Sequence, residues 1–335
     1  CGLDAVLWRS RGGLRSEKME YQPIFKGCIA VDYADGEYFP RRFTKEALAF
    51  YNAFDNDMYY IRALNSSGVT LEFSTDAQEV AFCFRGDYFS RPWVCFDVYE
   101  DGVFMQTIQY EEHTREGRFS YKRRLSAKST LVIYVPATMA LWFSGFELGA
   151  WEPVPDKKRR YLAIGDSITQ GMDARCPSIT YTNIIKRHLD AQIINQGVGG
   201  FIFDARSLEP HQPFEPDLIS VAYGTNDIAT IDETPLIVTA IEEYLEKLFS
   251  IYPNVSVNII TPIWRLAYEE QARFREKLHS INCAIAHAAS KHQHAHMIDG
   301  MGLIPHSLDY LHDSLHPNEL GFCLLGINLL KQLRL

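Results

Sequence analysis

Three residue types in this chain could together move an acyl group: a serine at 167, a histidine at 316 and an aspartate at 313. Acyl transfer by serine needs a nucleophile, a base to take its proton, a group that orients the base, and donors for the oxyanion. In Asp313-Ser-Leu-His316-Pro317, a three-residue separation within a turn can bring the Asp313 carboxylate to one imidazole nitrogen. The other nitrogen is then free to face Ser167. A helix beginning at His316 would oppose its protonation, while Asp313 would stabilise the imidazolium formed during attack. The candidate oxyanion donors are the backbone N–H groups of Ser167 and Gly200 and the side-chain amide of Asn226. Losing one such donor costs about 3 kcal/mol of transition-state stabilisation. Each signal has a plainer reading when taken singly. Asp166 and Ser167 suit a helix cap, the pair at 199–200 suits a turn, Asn226-Asp227 suits a turn or cap, and Asp-x-x-His is common by chance.

The elements that must position these residues carry more weight. From Tyr161 onward, strand-like runs alternate with helical ones, the signature of βαβ units and a parallel sheet. The first run breaks at Gly165 and delivers Asp166 and Ser167 into a turn. Runs at 191–195, 218–223, 255–260 and 296–299 follow, with helices at 178–189, from Thr234-Pro235 onward, at 269–290, and from Pro317 to about Leu330. Thr234 suits an N-cap and Pro235 the first helical position. The predicted architecture is a doubly wound α/β/α sandwich with five parallel strands. Every unusual polar residue then falls just past a strand's carboxyl end, and right-handed crossovers place all those ends on one edge of the sheet. Trp264, past the fourth run, reads either as a wall of the substrate pocket or as part of the interdomain core.

Four sequence blocks carry a family resemblance. Gly165-Asp-Ser-Ile168, Asn195-Gln-Gly-Val-Gly-Gly200, Gly224-Thr-Asn-Asp227 and Asp313-Ser-Leu-His316 resemble, in order, the blocks of the SGNH (GDSL-type) hydrolase superfamily. Ile168 stands where that family usually has Leu. The resemblance implies a flavodoxin-like sheet and esterase or acyltransferase activity with no cofactor and no metal. It also implies the roles of nucleophile for Ser167, base for His316 with its aspartate Asp313, and oxyanion donors for Gly200 and Asn226. No Gly-x-Ser-x-Gly surrounds Ser167, so the α/β-hydrolase elbow is not the comparison.

Residues from about 25 to 148 read differently, as many short strands with turn-like breaks and no convincing helix between them. That pattern predicts an antiparallel β-sandwich or jelly roll. Asp101-Gly102 is its clearest hairpin signal, and residues 44–51 read as a short helix or a covering loop. The aromatics Tyr59, Tyr60, Tyr88, Trp93 and Trp142 could line a sugar-binding face, although aromatics in a sandwich more often form core. The two prolines of residues 149–156 mark a connector between a first domain at 1–150 and a second at 157–335. A sandwich in front of such a domain is similar to two-domain carbohydrate esterases that remove acetyl groups from sugars, and to SGNH acyltransferases of natural-product pathways. The expected substrate is therefore a small-molecule or oligosaccharide acyl ester, and acetyl is the expected acyl group.

Composition narrows the alternatives. The 335 residues suit two domains, and a net charge of −9 argues against nonspecific binding to nucleic acid or anionic membrane. No apolar run reaches the length of a membrane span. Seven scattered cysteines without a CxxC pair read as free thiols and favour a reducing, cytoplasmic setting, provisional on whatever precedes Cys1. His292-Gln-His-Ala-His296 could offer alternate histidines to a metal, but it sits at the amino end of the fifth run with no carboxylate cluster. A glycan-binding protein with an inactive second half is the non-enzymatic alternative. The acyl length, the alcohol and the oligomeric state, including a homo-oligomer, stay open.

Overall fold

The computed structural model describes residues 20–124 and 127–335; Cys1, read above with the other cysteines as a free thiol, lies outside them. The first half is a pair of antiparallel sheets. One runs Phe25–Lys26, Thr70–Thr75, Ser129–Tyr134, Cys95–Glu100, Val103–Gln109, and the other Ala30–Ala34, Glu37–Arg41, Ala140–Glu147, Glu79–Asp87, Glu116–Lys122. Their inner faces meet in one core built around Leu71, Phe73, Phe82, Phe96, Phe119, Ile133 and Phe143. The hairpin at Asp101-Gly102 has positive φ at both central residues (48° and 79°), the geometry that matches the twist of its strands.

Three features of this half depart from the sequence reading. Glu37–Arg41 is a strand despite Pro40, and it pairs with Ala30–Ala34 as a hairpin. The connector is not free chain, because Trp151–Pro153 pairs with Phe73, Ser74 and Thr75 as an edge strand, a place that tolerates proline. Two helices interrupt the strands, the first where residues 44–51 read as a short helix or a covering loop and the second unsignalled. Lys45–Asn52 is capped by the Thr44 hydroxyl, which accepts the Ala47 N–H at 3.1 Å, and Met58–Leu64 follows. Their residues Ala47, Tyr51 and Ala63 belong to the core of the other half, where tertiary packing supplies what the short helical pattern did not advertise.

The second half is a five-stranded parallel sheet: β1 Arg159–Gly165, β2 Ala191–Gly197, β3 Leu218–Ala222, β4 Ser256–Ile260 and β5 Ala295–Ile298, in spatial order β2-β1-β3-β4-β5. Alternation along β1 divides the core. Tyr161 and Ala163 face helices Tyr181–Leu189 and Glu319–Leu330 through Ile185, Phe322 and Leu325. Leu162 and Ile164 face helices Thr234–Ile251 and Ala272–Ala289 through Ile241, Leu245, Ile281 and Ile285. Burial on both faces explains the near-continuous apolar runs.

Helix ends shift by a residue or more from the sequence expectation. Thr234 is the first helical residue, not the cap, with Glu233 before it. The helix expected at 269–290 is two, Ala267–Glu270 and Ala272–Ala289, broken at the extended Gln271. Asn318, not Pro317, opens the last helix, its side chain accepting the Gly321 N–H at 3.0 Å.

Candidate active site

β1 ends at Gly165, where a Cβ would lie 2.1 Å from Thr169 Oγ1 and 2.6 Å from Ala222 O, so the chain can turn here only without a side chain. Asp166 caps the short helix Ser167–Gln170, its Oδ1 accepting the Ile168 N–H at 3.0 Å. The cap reading and the nucleophile reading are thus divided between two adjacent residues. Asp166 braces the turn, and the Ser167 hydroxyl is left beside His316, with Oγ 2.9 Å from Nε2.

His316 reaches that position from the loop after β5. The loop is pinched at its base by a bridge between Leu311 and Pro317, by the His312 N–H donated to His316 O at 2.8 Å, and by the Leu266 N–H donated to Ser314 O at 3.2 Å. Asp313 folds back onto it. Its Oδ1 accepts the backbone N–H groups of Leu315 (2.7 Å) and His316 (2.6 Å), and its Oδ2 lies 2.8 Å from His316 Nδ1. Partial burial works against the charged carboxyl, but the His316 side-chain and backbone hydrogen bonds prevail and hold Asp313 well below the usual carboxylate range. Ser167, His316 and Asp313 therefore form one continuous chain of hydrogen bonds, with the serine only 3% exposed.

Gly200 and Asn226 stand on the same edge. Gly200 has φ 78°, and a Cβ there would meet Arg62 Nη1 at 2.7 Å. The Asn226 amide donates to Phe201 O at 3.0 Å and approaches Asp166 Oδ2 at 3.5 Å, which ties the third block to the first. Burial pushes the Asp166 carboxyl up to about 6 against the pull of the Ile168 N–H. Asp227, next to Asn226, is fully buried, accepts the N–H groups of Phe203 and Gly224 (3.1 Å each), and is pushed by burial to about 7.

Trp264 is placed elsewhere. It is buried in the core on the Glu319–Leu330 side, donates Nε1–H to Glu269 Oε1 at 2.9 Å and stacks on His306, so it is neither a pocket wall nor an interdomain contact. A hydrophobic strand-end tryptophan looked the same in either setting. Of the histidines of 292–296, His292 stacks on Phe249 at 4.1 Å and His294 bonds Gln293 at 2.9 Å.

Other residues at the site carried no sequence signal. Gln170 accepts the Gly199 N–H at 2.8 Å and donates to Asn65 Oδ1 at 3.0 Å, binding the Ser167 turn to the second block and to the sandwich. Arg62, from helix Met58–Leu64, donates to Gly199 O at 2.6 Å. Arg42 is a buried guanidinium whose hydrogen bonds among the described residues go to carbonyls: Asn65 O at 2.5 Å, Arg62 O at 2.9 Å, Gly197 O at 3.3 Å, Ala63 O at 3.4 Å, and Asn195 O. Asp173 adds a carboxylate next to His316, and its donor atoms with those of Asp313 and His316 lie within 4.8 Å of one another. Two carboxylates and an imidazole could hold a cation, but Arg91 Nε already occupies Asp173 Oδ1 at 2.7 Å, and Asp313 already takes Nδ1 of the imidazole. Among the aromatics considered for sugar binding, Trp142 stacks on Phe39, whereas Tyr59 packs on Phe201 beside Gly200 and Trp93 stands edge-on to His312.

The comparisons agree with this geometry. Residues 163–322 match the model of the GDSL-like lipase/acylhydrolase family. No curated protein matches the sequence. Among solved structures, a salicylyl-acyltransferase, SsfX3, from a tetracycline biosynthetic pathway superposes with a TM-score of 0.74 at 17% identity, over 92% of this chain and 93% of that one. A family two carbohydrate esterase from Cellvibrio japonicus gives 0.63 at 15% identity, over 94% and 95%. An acetyl xylan esterase from the rumen bacterium Butyrivibrio proteoclasticus gives 0.57 at 16% identity, over 80% and 89%. At these identities the likeness establishes the fold, including the antiparallel half in front of the parallel sheet.

Proposed function

We propose that this protein is a serine esterase that removes small O-acyl groups, acetyl foremost, from carbohydrates through an acyl-enzyme on Ser167. The observation that carries the reading is the unbroken Ser167 Oγ–His316 Nε2, His316 Nδ1–Asp313 Oδ2 chain at 2.9 and 2.8 Å. In the first step Ser167 Oγ attacks the ester carbonyl carbon and its proton passes to His316 Nε2. The carbonyl oxygen becomes an oxyanion facing the N–H groups of Ser167 and Gly200 and the Asn226 amide. Collapse of the tetrahedral intermediate breaks the C–O bond to the alcohol, which leaves with the proton from His316. Water then attacks the acyl-Ser167 ester, again giving up a proton to His316, and releases the carboxylic acid and the free hydroxyl. Asp313 holds the imidazole orientation and its transient positive charge throughout.

The carbohydrate part of the reading rests on fold likeness to esterases of that substrate class. The likeness to the acyltransferase over nearly the whole chain favours a second reading, in which an alcohol rather than water takes the acyl group. One experiment tests both. Wild type and Ser167→Ala are assayed on p-nitrophenyl esters of increasing acyl length and on acetylated xylo-oligosaccharides, with and without an added alcohol acceptor. Esterase function predicts Ser167-dependent release of acetate that an acceptor does not divert. Diversion of most acyl groups to the acceptor selects the transferase, and equal background rates for both proteins select a binding protein.

A further inference from the structure

His316 faces two carboxylates, and they differ in kind. Asp313 sits on the histidine's own loop with its side chain 46% exposed. Asp173 sits just beyond the nucleophile helix at φ 68°, a left-handed conformation that aspartate tolerates better than most residues, and its side chain is only 3% exposed. Asp173 Oδ1 accepts from Arg91 Nε at 2.7 Å and lies 3.9 Å from His312 Nε2. Asp173 Oδ2 has no hydrogen-bond partner although it is buried, and it points to His316 Nδ1 at 3.4 Å.

We infer that Asp173 is a positioning residue for His316, a second carboxylate supplied by the nucleophile's own loop and held in place from the antiparallel half by Arg91. A buried carboxylate oxygen with no donor is costly in the resting protein. That cost is recovered when the imidazole takes the serine proton at Nε2, because the Nδ1 side, already donated to Asp313, then carries a new positive charge that faces both Asp313 and Asp173. The field of Asp173 acts through a less screened path than that of the exposed Asp313. Arg91 leaves Oδ2 free by binding the other oxygen. The arrangement also gives the antiparallel half a part in proton transfer that does not depend on substrate contact.

The inference rests on His316 acting as the base at Ser167, so its test needs a readout that does not. The charged groups facing the imidazole are Asp313 on its own loop, Asp173 and the more distant Asp166 from the nucleophile turn, with Arg91 and His312 behind Asp173. Asp173→Asn keeps an oxygen for Arg91 and removes one negative charge. The titration of His316, followed by imidazole NMR signals in the full chain, should move to lower pH in this variant, since a lost carboxylate disfavours the imidazolium. In activity, Asp173→Asn should lower kcat about tenfold with KM unchanged, and the acidic limb of kcat/KM should move in the same direction. Asp313→Asn combined with Asp173→Asn should lose far more than the product of the two single effects, on the order of 10³-fold or greater, because each single variant keeps one carboxylate on Nδ1. Arg91→Gln should reproduce the Asp173→Asn effect more weakly. An unmoved His316 titration, or singles that multiply without excess, would overturn the inference. Loss of Ser167-dependent turnover with a shifted titration would instead reject the esterase reading alone.

Discussion

In the antiparallel half, buried carboxylates meet cations. Glu72 lies 2.6 Å from Lys186 Nζ across to the parallel-sheet half, and Glu100 shares Arg123, Ser129 and Tyr121 in a fully buried network. Burial raises both, but the Lys186 pair for Glu72 and the hydrogen bonds of Ser129, Arg124 and Tyr121 for Glu100 carry them below the ordinary value. In the parallel-sheet half, Asp166 and Asp227 receive mainly backbone N–H groups, and burial wins. Asp97 fits the same rule from the other side. It lies in the sandwich without a paired cation, accepts from Thr107 and the Ser178 N–H, and is raised. The difference teaches where each half keeps its polar groups. The sandwich buries charge to join surfaces, and the parallel sheet buries it at strand ends to shape turns beside the Ser167 hydroxyl.

The strongest way to break that contrast is at the strand ends. His316→Ala should cost nearly as much activity as Ser167→Ala, at least about 10⁴-fold in kcat, and the double variant should be little worse than either. Steady-state rates on p-nitrophenyl acetate measure it. Losses that multiply would mean that the two side chains, though 2.9 Å apart, do not act as a unit.

The same contrast explains what could be read from the chain. β1 to β5 were legible because both faces are buried and each strand is therefore an apolar run, and Ser167, Gly200, Asn226 and His316 were legible because they follow those runs. The Asp313–His316 turn was legible from its spacing only in company with the other three blocks. Arg42, Arg62, Arg91 and Asp173 were not, because no local pattern marks them. The partners that tie them to the site are 20 to 155 residues away, and an arginine in a covering helix or loop reads as surface. Trp151–Pro153 was read as connector since two prolines hide an edge strand, and helix Met58–Leu64 was missed because its reason to be helical is Phe201 and its neighbours on the other half.

Arg42 offers the next largest effect. Its guanidinium satisfies carbonyls on both halves, and burial lowers it to about 9 with no carboxylate partner among the described residues. Arg42→Met fills much of the volume but strands the Asn195 and Gly197 carbonyls just before Gly199 and Gly200. A loss of about 3 kcal/mol or more in urea unfolding is expected, with lower kcat in the protein that remains folded. Unchanged stability would show that the two halves are joined without this clamp.

The smallest effect sharpens the contrast through pH. Asp227 sits at about 7 in the folded chain against about 4 for an unfolded aspartate, so across that window the folded state holds the extra proton. Its contribution to stability is complete below about pH 4 and is lost as pH rises through 7. Asp166, at about 6, adds a shorter window of the same sign. Glu72 and Glu100, being lowered, act oppositely: their contribution is present above the unfolded value near 4 and is lost as pH falls. Urea unfolding at pH 5 and pH 7.5 should therefore show wild type losing stability with rising pH, and Asp227→Asn losing less. An equal decline in the variant would place the pH dependence in the other raised carboxyls, Asp166, Asp97 and Glu209, and leave Asp227 ionised in the fold.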